Sequence, residues 1–367
     1  MKSNRFFARS PLVVLIAGVA FWGCKKGEDA APAEDSSATT PVAEAPKPPA
    51  EVKVTLSKKW PAGNRLVFEK SVTIGRQTTG ANAAPTEQFR MTRYSADFPG
   101  GNSMEEGTMA EGAPPAAPVT LAGVVPLTIA AQKFRSSVGG KVVIEANAEG
   151  GDEGDGSSGG DDSGQPARPN PLVMSISSSV GGRVTLTYDT AGAISKVDGL
   201  QAQIHAKVLR GVPRGMIPLV GGMFSETVFR EAMMFHGLLN GAELKKGDTW
   251  VQNEKAMLLL NWQQDFAFTN TFSGMKDWNG KKVAEIAIAG SIGGATEKPM
   301  AFAIAPGGTF TGTALYSPDM GVVVEQNISG SFVSQEGAGK AAMTVSNTFS
   351  RSFKVTQTMS AEEASGM

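Results

Sequence analysis

The residues able to do nucleophilic, redox or metal chemistry are few. The 367-residue chain holds one cysteine, Cys24, and two histidines, His205 and His236. A zinc site of cysteines and histidines, an iron–sulfur cluster or a disulfide framework each needs more of these side chains than that. A Ser-His-Asp triad would have to use one of the two imidazoles. His205 stands in Gln-Ala-Gln-Ile-His-Ala-Lys-Val with no acid or hydroxyl beside it, and His236 sits between Phe235 and Leu239 on an apolar stretch. There a histidine at a helix end, favoured by the C-terminal dipole, is the plainer reading. Ser273-Gly-Met-Lys276 has the Ser-x-x-Lys spacing that places a lysine beside a nucleophile on a helical turn. It runs from strand-like sequence into a hairpin, where positions three apart do not meet in that way. Asp152, Glu153, Asp155, Asp161 and Asp162 gather in a Gly-rich stretch, but their spacing is not that of a calcium loop, and a solvated acidic loop is expected. No His-Glu-x-x-His, Gly-x-Ser-x-Gly or phosphate-loop pattern occurs. The sequence therefore assigns no catalytic residue, no metal ligand set and no cofactor. A hydrolase using carboxylates or His236 remains as an alternative, because any two acids can meet in a fold.

Charge narrows the partners. Lys and Arg number 34 against 35 Asp and Glu, a formal net charge of −1, so nothing supplies the basic excess that phosphate backbones require and no nucleic-acid partner is expected.

The cysteine has a context. Lys2, Arg5 and Arg9 precede an apolar run, Pro11–Trp22, and Gly23-Cys24 follows at once. This is the three-part pattern of a secretory signal peptide over residues 1–23, and the run is shorter than the ~20 residues a spanning helix needs. Over these residues the chain resembles a bacterial lipoprotein precursor, with Phe21 and Trp22 where that family usually has Leu and a small residue. The resemblance implies lipid attachment at Cys24 after cleavage, hence a membrane-anchored protein of the cell envelope facing the periplasm. Lys25 after the cysteine implies the outer membrane by the family's sorting habit. Residues 25–51 are mostly Ala, Pro, Glu, Asp, Ser, Thr and Lys. Such a segment cannot bury enough apolar surface to offset its ordering entropy, so 24–51 reads as a disordered tether, and 360–367 as a flexible tail.

The elements that would position any site are mostly strands. Apolar residues alternate with polar ones in 65–74, 88–98, 141–146, 183–188, 266–272, 282–289, 321–326 and 342–355, between Gly-rich breaks. Period-two alternation predicts antiparallel strands with one buried face. Asn279-Gly280 between two such runs predicts a tight hairpin. The stretches 99–118 and 149–171 are low-complexity excursions. Met223–Asn240 predicts the main helix, with Ser225 as N-cap, Phe224 and Phe229 as a hydrophobic staple, and Val228, Ala232, Phe235 and Leu239 on one face. At 201–210 a short helix or a strand fits equally well. Gly181-Gly182 and Gly307-Gly308 each open a strand ending in Tyr, a Gly-containing turn and a return strand. These read either as an internal duplication or as the common look of Gly-rich hairpins. A duplication would make two related β units, at about 52–200 and 242–359, around the helical segment 201–241.

The expected fold is thus α+β, mainly antiparallel β, with curved sheet packed by one main helix over 52–359. Lys245-Lys-Gly-Asp-Thr-Trp250 followed by Gly280-Lys-Lys-Val-Ala284 also looks like a group of uncharacterised bacterial envelope lipoproteins, which implies a fold more than an activity. Met223, Phe224, Phe229, Met233 and Phe235 crowd the helix, and Met with Phe makes an adaptable lining for an acyl chain or a partner helix. The same residues would serve as core for a helix closing a curved sheet. The expectation is a non-enzymatic envelope lipoprotein that binds a hydrophobic ligand, a lipid among the candidates, or an envelope protein, similar in architecture to the half-barrel lipoprotein carriers. A scaffold with a fully packed core is the other alternative.

Overall fold

Alternation of apolar and polar side chains runs on through long strands in the computed structural model, which describes residues 53–57, 63–79, 83–98, 123–150, 170–189, 193–232, 241–259, 262–293, 302–304, 307–336 and 343–360. Cys24, Met233, Phe235, His236 and the acidic stretch 152–162 lie outside the described residues. In chain order come β1 (Lys53–Thr55), β2 (Asn64–Thr78), β3 (Thr86–Asp97), β4 (Gly123–Val138), β5 (Lys141–Glu149), α1 (Pro171–Ser179), β6 (Arg183–Tyr188) and β7 (Ile194–Asp198). A helical stretch follows: a π-helical turn Leu200–His205 continuous with α2 (Ala206–Val208), a 3-10 turn Arg214–Met216, α3 (Ile217–Met223) and α4 (Glu226–Ala232). The chain ends in β8 (Glu243–Lys245), β9 (Thr249–Leu259), β10 (Trp262–Trp278), β11 (Lys281–Gly293), β12 (Phe302–Ile304), β13 (Gly308–Ser317), β14 (Val322–Glu336) and β15 (Met343–Ser360).

Thirteen of these strands make one sheet in the order β7-β6-β4-β3-β2-β15-β14-β13-β11-β10-β9, with β5 added to β4 and β12 to β14, while β1 and β8 pair apart from it. The stretches 52–200 and 242–359 share this sheet, joined where β2 pairs β15 from Thr78↔Val345 to Asn64↔Ser360. The expected hairpin is present: β10 turns into β11 through Asn279 and Gly280, both at positive φ, 48° and 76°. That pairing of signs is what a type I′ turn needs, and Asn and Gly bear it at least strain.

The sheet is strongly curled. The Phe266 ring on β10 lies 6.2 Å from the Phe349 ring on β15, although β11, β13 and β14 separate them in strand order. In a flat sheet four strand spacings would hold these residues about 19 Å apart. The inner face closes round an apolar core, and α4 touches both edge strands, β7 and β9. Arg230 of α4 fixes one of those contacts by donating to the carbonyls of Ile194 and Ser195 on β7.

Of the helix expected over 223–240, Glu226–Ala232 is helical and 233–240 lie outside the described residues, and further short helices precede it where one main helix was expected. α3 ends at Met223, Phe224 leaves helical geometry at φ −121°, and α4 starts at Glu226. Ser225 stands at the expected boundary, with its carbonyl accepting from the Val228 and Phe229 amides. Its Oγ, however, is buried without a hydrogen-bond partner, so the side chain does not cap the helix. Phe224 and Phe229 are both buried in the core. At 200–208 the chain is helical, ended by the turn that contains Gly211 at φ 76°.

Candidate functional site

Register lines up the interior. Directly opposed residues share a sheet face, and one row crosses eight strands: Gln252, Phe268, Gly290, Phe310, Gly330, Phe349, Ile74 and Gln88. Phenylalanine and glycine alternate through its centre, and the glycines are needed for space. A Cβ at Gly290 would lie 2.2 Å from the Ala267 carbonyl oxygen and 2.3 Å from the Phe310 ring. At Gly330 it would lie 2.2 Å from the Thr309 carbonyl oxygen and 2.6 Å from Phe310 Cβ. Phe310 therefore lies across its neighbours' backbones and meets Phe268 edge-on at 4.9 Å and Phe266 at 5.4 Å. With Phe349 and Phe332, also in ring contact, these side chains make a continuous aromatic floor.

Polar atoms are set into this interior. Asn270 is fully buried, and neither atom of its amide has a hydrogen-bond partner. Gln252 Oε1 and Trp250 Nε1 on β9, Gln264 Oε1 on β10, Asn347 Oδ1 on β15 and Gln132 Nε2 on β4 are likewise shielded from solvent and unpartnered. A dry core rarely tolerates such atoms, since each costs about 1–3 kcal/mol when left unsatisfied.

Charges gather next to the floor. Arg351 on β15, Val72 on β2 and Arg90 on β3 form one register row, with Lys70 two residues along β2 on the same face. Glu231 reaches down from α4, and its Oε2 receives Lys70 Nζ at 3.2 Å and Arg351 at 3.5 Å. The carboxylate side chain is 3% exposed and both cations 16%. Burial holds the Lys70 ammonium down at about 8, against the upward pull of Glu231. Burial also raises the Glu254 carboxyl above its ordinary value, with Arg351 opposing; Glu254 accepts from the Gln252 amide. Arg90 packs its guanidinium 5.5 Å over the Phe224 ring, and its Nε has no hydrogen-bond partner. The Arg351 guanidinium stands 5.9 Å over the Phe266 ring, at the border of floor and charges.

Of the helix residues named from sequence, Met223, Phe224 and Phe229 are buried in the core cluster, while Met233 and Phe235 lie outside the described residues. His205 donates from Nε2 to the Phe224 carbonyl at 2.9 Å, which ties the π-helical turn to the α3–α4 junction. Ser273 and Lys276 sit on β10 around a bulge, and Lys276 pairs with Glu285. The charged cluster itself was overlooked in the sequence, although a signal exists. Lys70 interrupts Leu66, Phe68, Val72 and Ile74, and Arg351 interrupts Phe349, Phe353 and Val355, each as a charge at an inward position of an apolar alternation. A separate cleft of about 590 Å³ lies among β2, β3, β4 and β15, with Arg76, Arg135 and Glu87 in its wall. Its charges are paired, Arg76 with Glu336 and Arg135 with Glu87.

No family model and no curated protein matches the chain. Among solved structures it is similar to lipovitellin, in a structure concerned with lipid–protein interactions, with 8% identity and a TM-score of 0.40 over 82% of this chain. The match spans 26% of the lipovitellin chain.

Proposed function

We propose that this chain is a non-enzymatic lipoprotein of the cell envelope, anchored through Cys24, that binds a hydrophobic ligand against the inner face of its curled sheet. The observation that carries the reading is the set of buried amide and indole atoms that have no partner, beside an aromatic floor whose glycines make room for the Phe310 ring. A core built only for stability would leave few polar atoms unsatisfied. The leader-like residues 1–23 and the cysteine behind them supply the anchor. The periplasm-facing side of the outer membrane is the location that Lys25 favours. A second reading, an envelope scaffold with a filled core, draws on the near-complete burial of Phe266, Phe268, Phe310, Phe332 and Phe349.

Native mass spectrometry of the full chain purified from membranes separates the two. The ligand reading expects a retained mass increment of one lipid per chain, identified by organic extraction; the bare protein mass in every preparation would instead support the scaffold. For the anchor, Cys24→Ala is expected to abolish acyl labelling and membrane association. Acyl labelling that persists in the variant refutes attachment at that residue.

A further inference from the structure

The charges beside the floor do not balance. Lys70, Arg90 and Arg351 face Glu231 and Glu254, an excess of one cation among the described residues, and both acids act on Lys70 or Arg351. Arg90 forms no ion pair with a described carboxylate; its guanidinium lies over the Phe224 ring and interacts electrostatically with Tyr94, and its Nε has no hydrogen-bond partner. A half-buried cation without an anion is unfavourable, because its surroundings replace little of the hydration it gives up. Burial disfavours the charged form of each of these groups, raising the Glu254 carboxyl and lowering Lys70 and Arg90. The anion that is present at the centre, the Glu231 carboxylate, comes from α4, a seven-residue helix held on its other side by Arg230. The rest of the cluster is on strands. Arg351 joins the two surfaces, touching Phe266 on the floor and Glu231 in the cluster.

We propose that the interior takes an amphipathic ligand with an anionic head group, its acyl chain on the Phe266–Phe310–Phe349 floor and its carboxylate or phosphate held by Arg351, Arg90 and Lys70 where the Glu231 carboxylate now sits. This rests on the hydrophobic-ligand reading above and names the ligand's class. Glu231 acts as a resident counter-ion: it neutralises the strand cations when the site is empty and yields them to the head group when the ligand arrives. An uncharged lipid would leave Glu231 in place and gain nothing from the cations.

The test compares oleate, oleyl alcohol and inorganic phosphate on the full chain carrying Cys24→Ala and stripped of lipid, by calorimetry and tryptophan fluorescence. Oleate is expected to bind at least about tenfold tighter than oleyl alcohol, the ratio a difference of one charged contact supports. In Arg351→Gln that ratio should fall close to one with oleyl alcohol affinity kept, and Glu231→Gln should tighten oleate severalfold by removing its competitor. If Arg351→Gln does not fold, judged by its urea midpoint, Lys70→Met carries the same comparison. Equal affinities for oleate and oleyl alcohol overturn the anionic head group, as does a preference that survives in the cation variant. Phosphate that binds alone and displaces oleate would assign the cluster to a soluble anion and equally overturn the lipid. Failure of both oleate and oleyl alcohol to bind would instead remove the hydrophobic-ligand reading on which the proposal stands.

Discussion

Replacing Lys70 with methionine should change how the protein's stability responds to pH. The Lys70 ammonium titrates at about 8 in the folded chain against 10.5 as a free side chain, because burial outweighs the attraction of Glu231. Between those values the unfolded chain holds more protons than the folded one, so stability rises with pH across that window. Below the folded value both states carry the charge and the folded state bears the whole burial cost; above the unfolded value neither carries it. At ~1.4 kcal/mol per unit, wild type should gain about 2–3 kcal/mol between about pH 7 and about pH 10 from this group. Methionine keeps most of the side chain's volume and has nothing to titrate, and Glu231 keeps Arg351 as its partner. The stability of wild type minus that of Lys70→Met should therefore climb by that amount over the same range. Tyr94 sets the upper limit of the experiment. Burial raises its phenol, so from about pH 10 upward the unfolded chain ionises first and stability is lost there. Urea unfolding followed by tryptophan fluorescence at four pH values measures both proteins. A wild-type minus variant difference that stays flat or falls with pH would refute the claim that burial dominates at Lys70.

Two further outcomes test the packing. Gly290→Ala should destabilise by about 1–3 kcal/mol, since its Cβ meets the Ala267 carbonyl and the Phe310 ring; Gly293→Ala, on the same strand with nothing within 4 Å, should change stability little, and equal unfolding midpoints for the two variants would contradict the floor's dependence on glycine. Arg230→Met should free the β7 edge from α4, which hydrogen exchange would register as faster exchange in α4 and at 194–198 with the β2–β15 ladder unchanged. Uniform acceleration across the sheet would mean that the residue supports global stability instead.

Much of the strand content was legible because one buried face leaves a period-two trace, as in Arg183–Tyr188, where the sequence pattern and the strand coincide. Asn279-Gly280 was equally legible, because its preference for positive φ is local. β4 was not. Its Pro126 and the pair Ala130-Ala131 blur the alternation, and the strand tolerates the proline just beyond the last β3–β4 pair, Ala96↔Leu127. α1 hid at the border of a low-complexity stretch, where Asn170 caps Leu172 with its side chain and Pro171 begins the helix. Within Met223–Asn240 the boundary at Ser225 was legible from the residue types around it, and α4 begins just after it at Glu226. The helix before it, Ile217–Met223, was not legible, because Pro218 and Gly221-Gly222 give that stretch the look of a helix break.

Composition alone sets the scarcity of chemistry: one cysteine behind a leader-like run, two histidines, and no charge excess for nucleic acid. The order of residues determined which of them would alternate between two faces, since side-chain direction along a strand is a local property. What those faces meet depends on the fold as a whole. Phe268, Phe310 and Phe349 are far apart in the chain and become one surface because register sets Gly290 and Gly330 between them. Lys70, Arg90 and Arg351 look like stray charges in separate strands until the β15–β2–β3 pairing aligns them, α4 sets Glu231 against Lys70 and Arg351, and the sheet brings Glu254 near both. Pairing and curvature are set by contacts between distant segments, and the free energy of burying a charge exists only once those segments have closed around it.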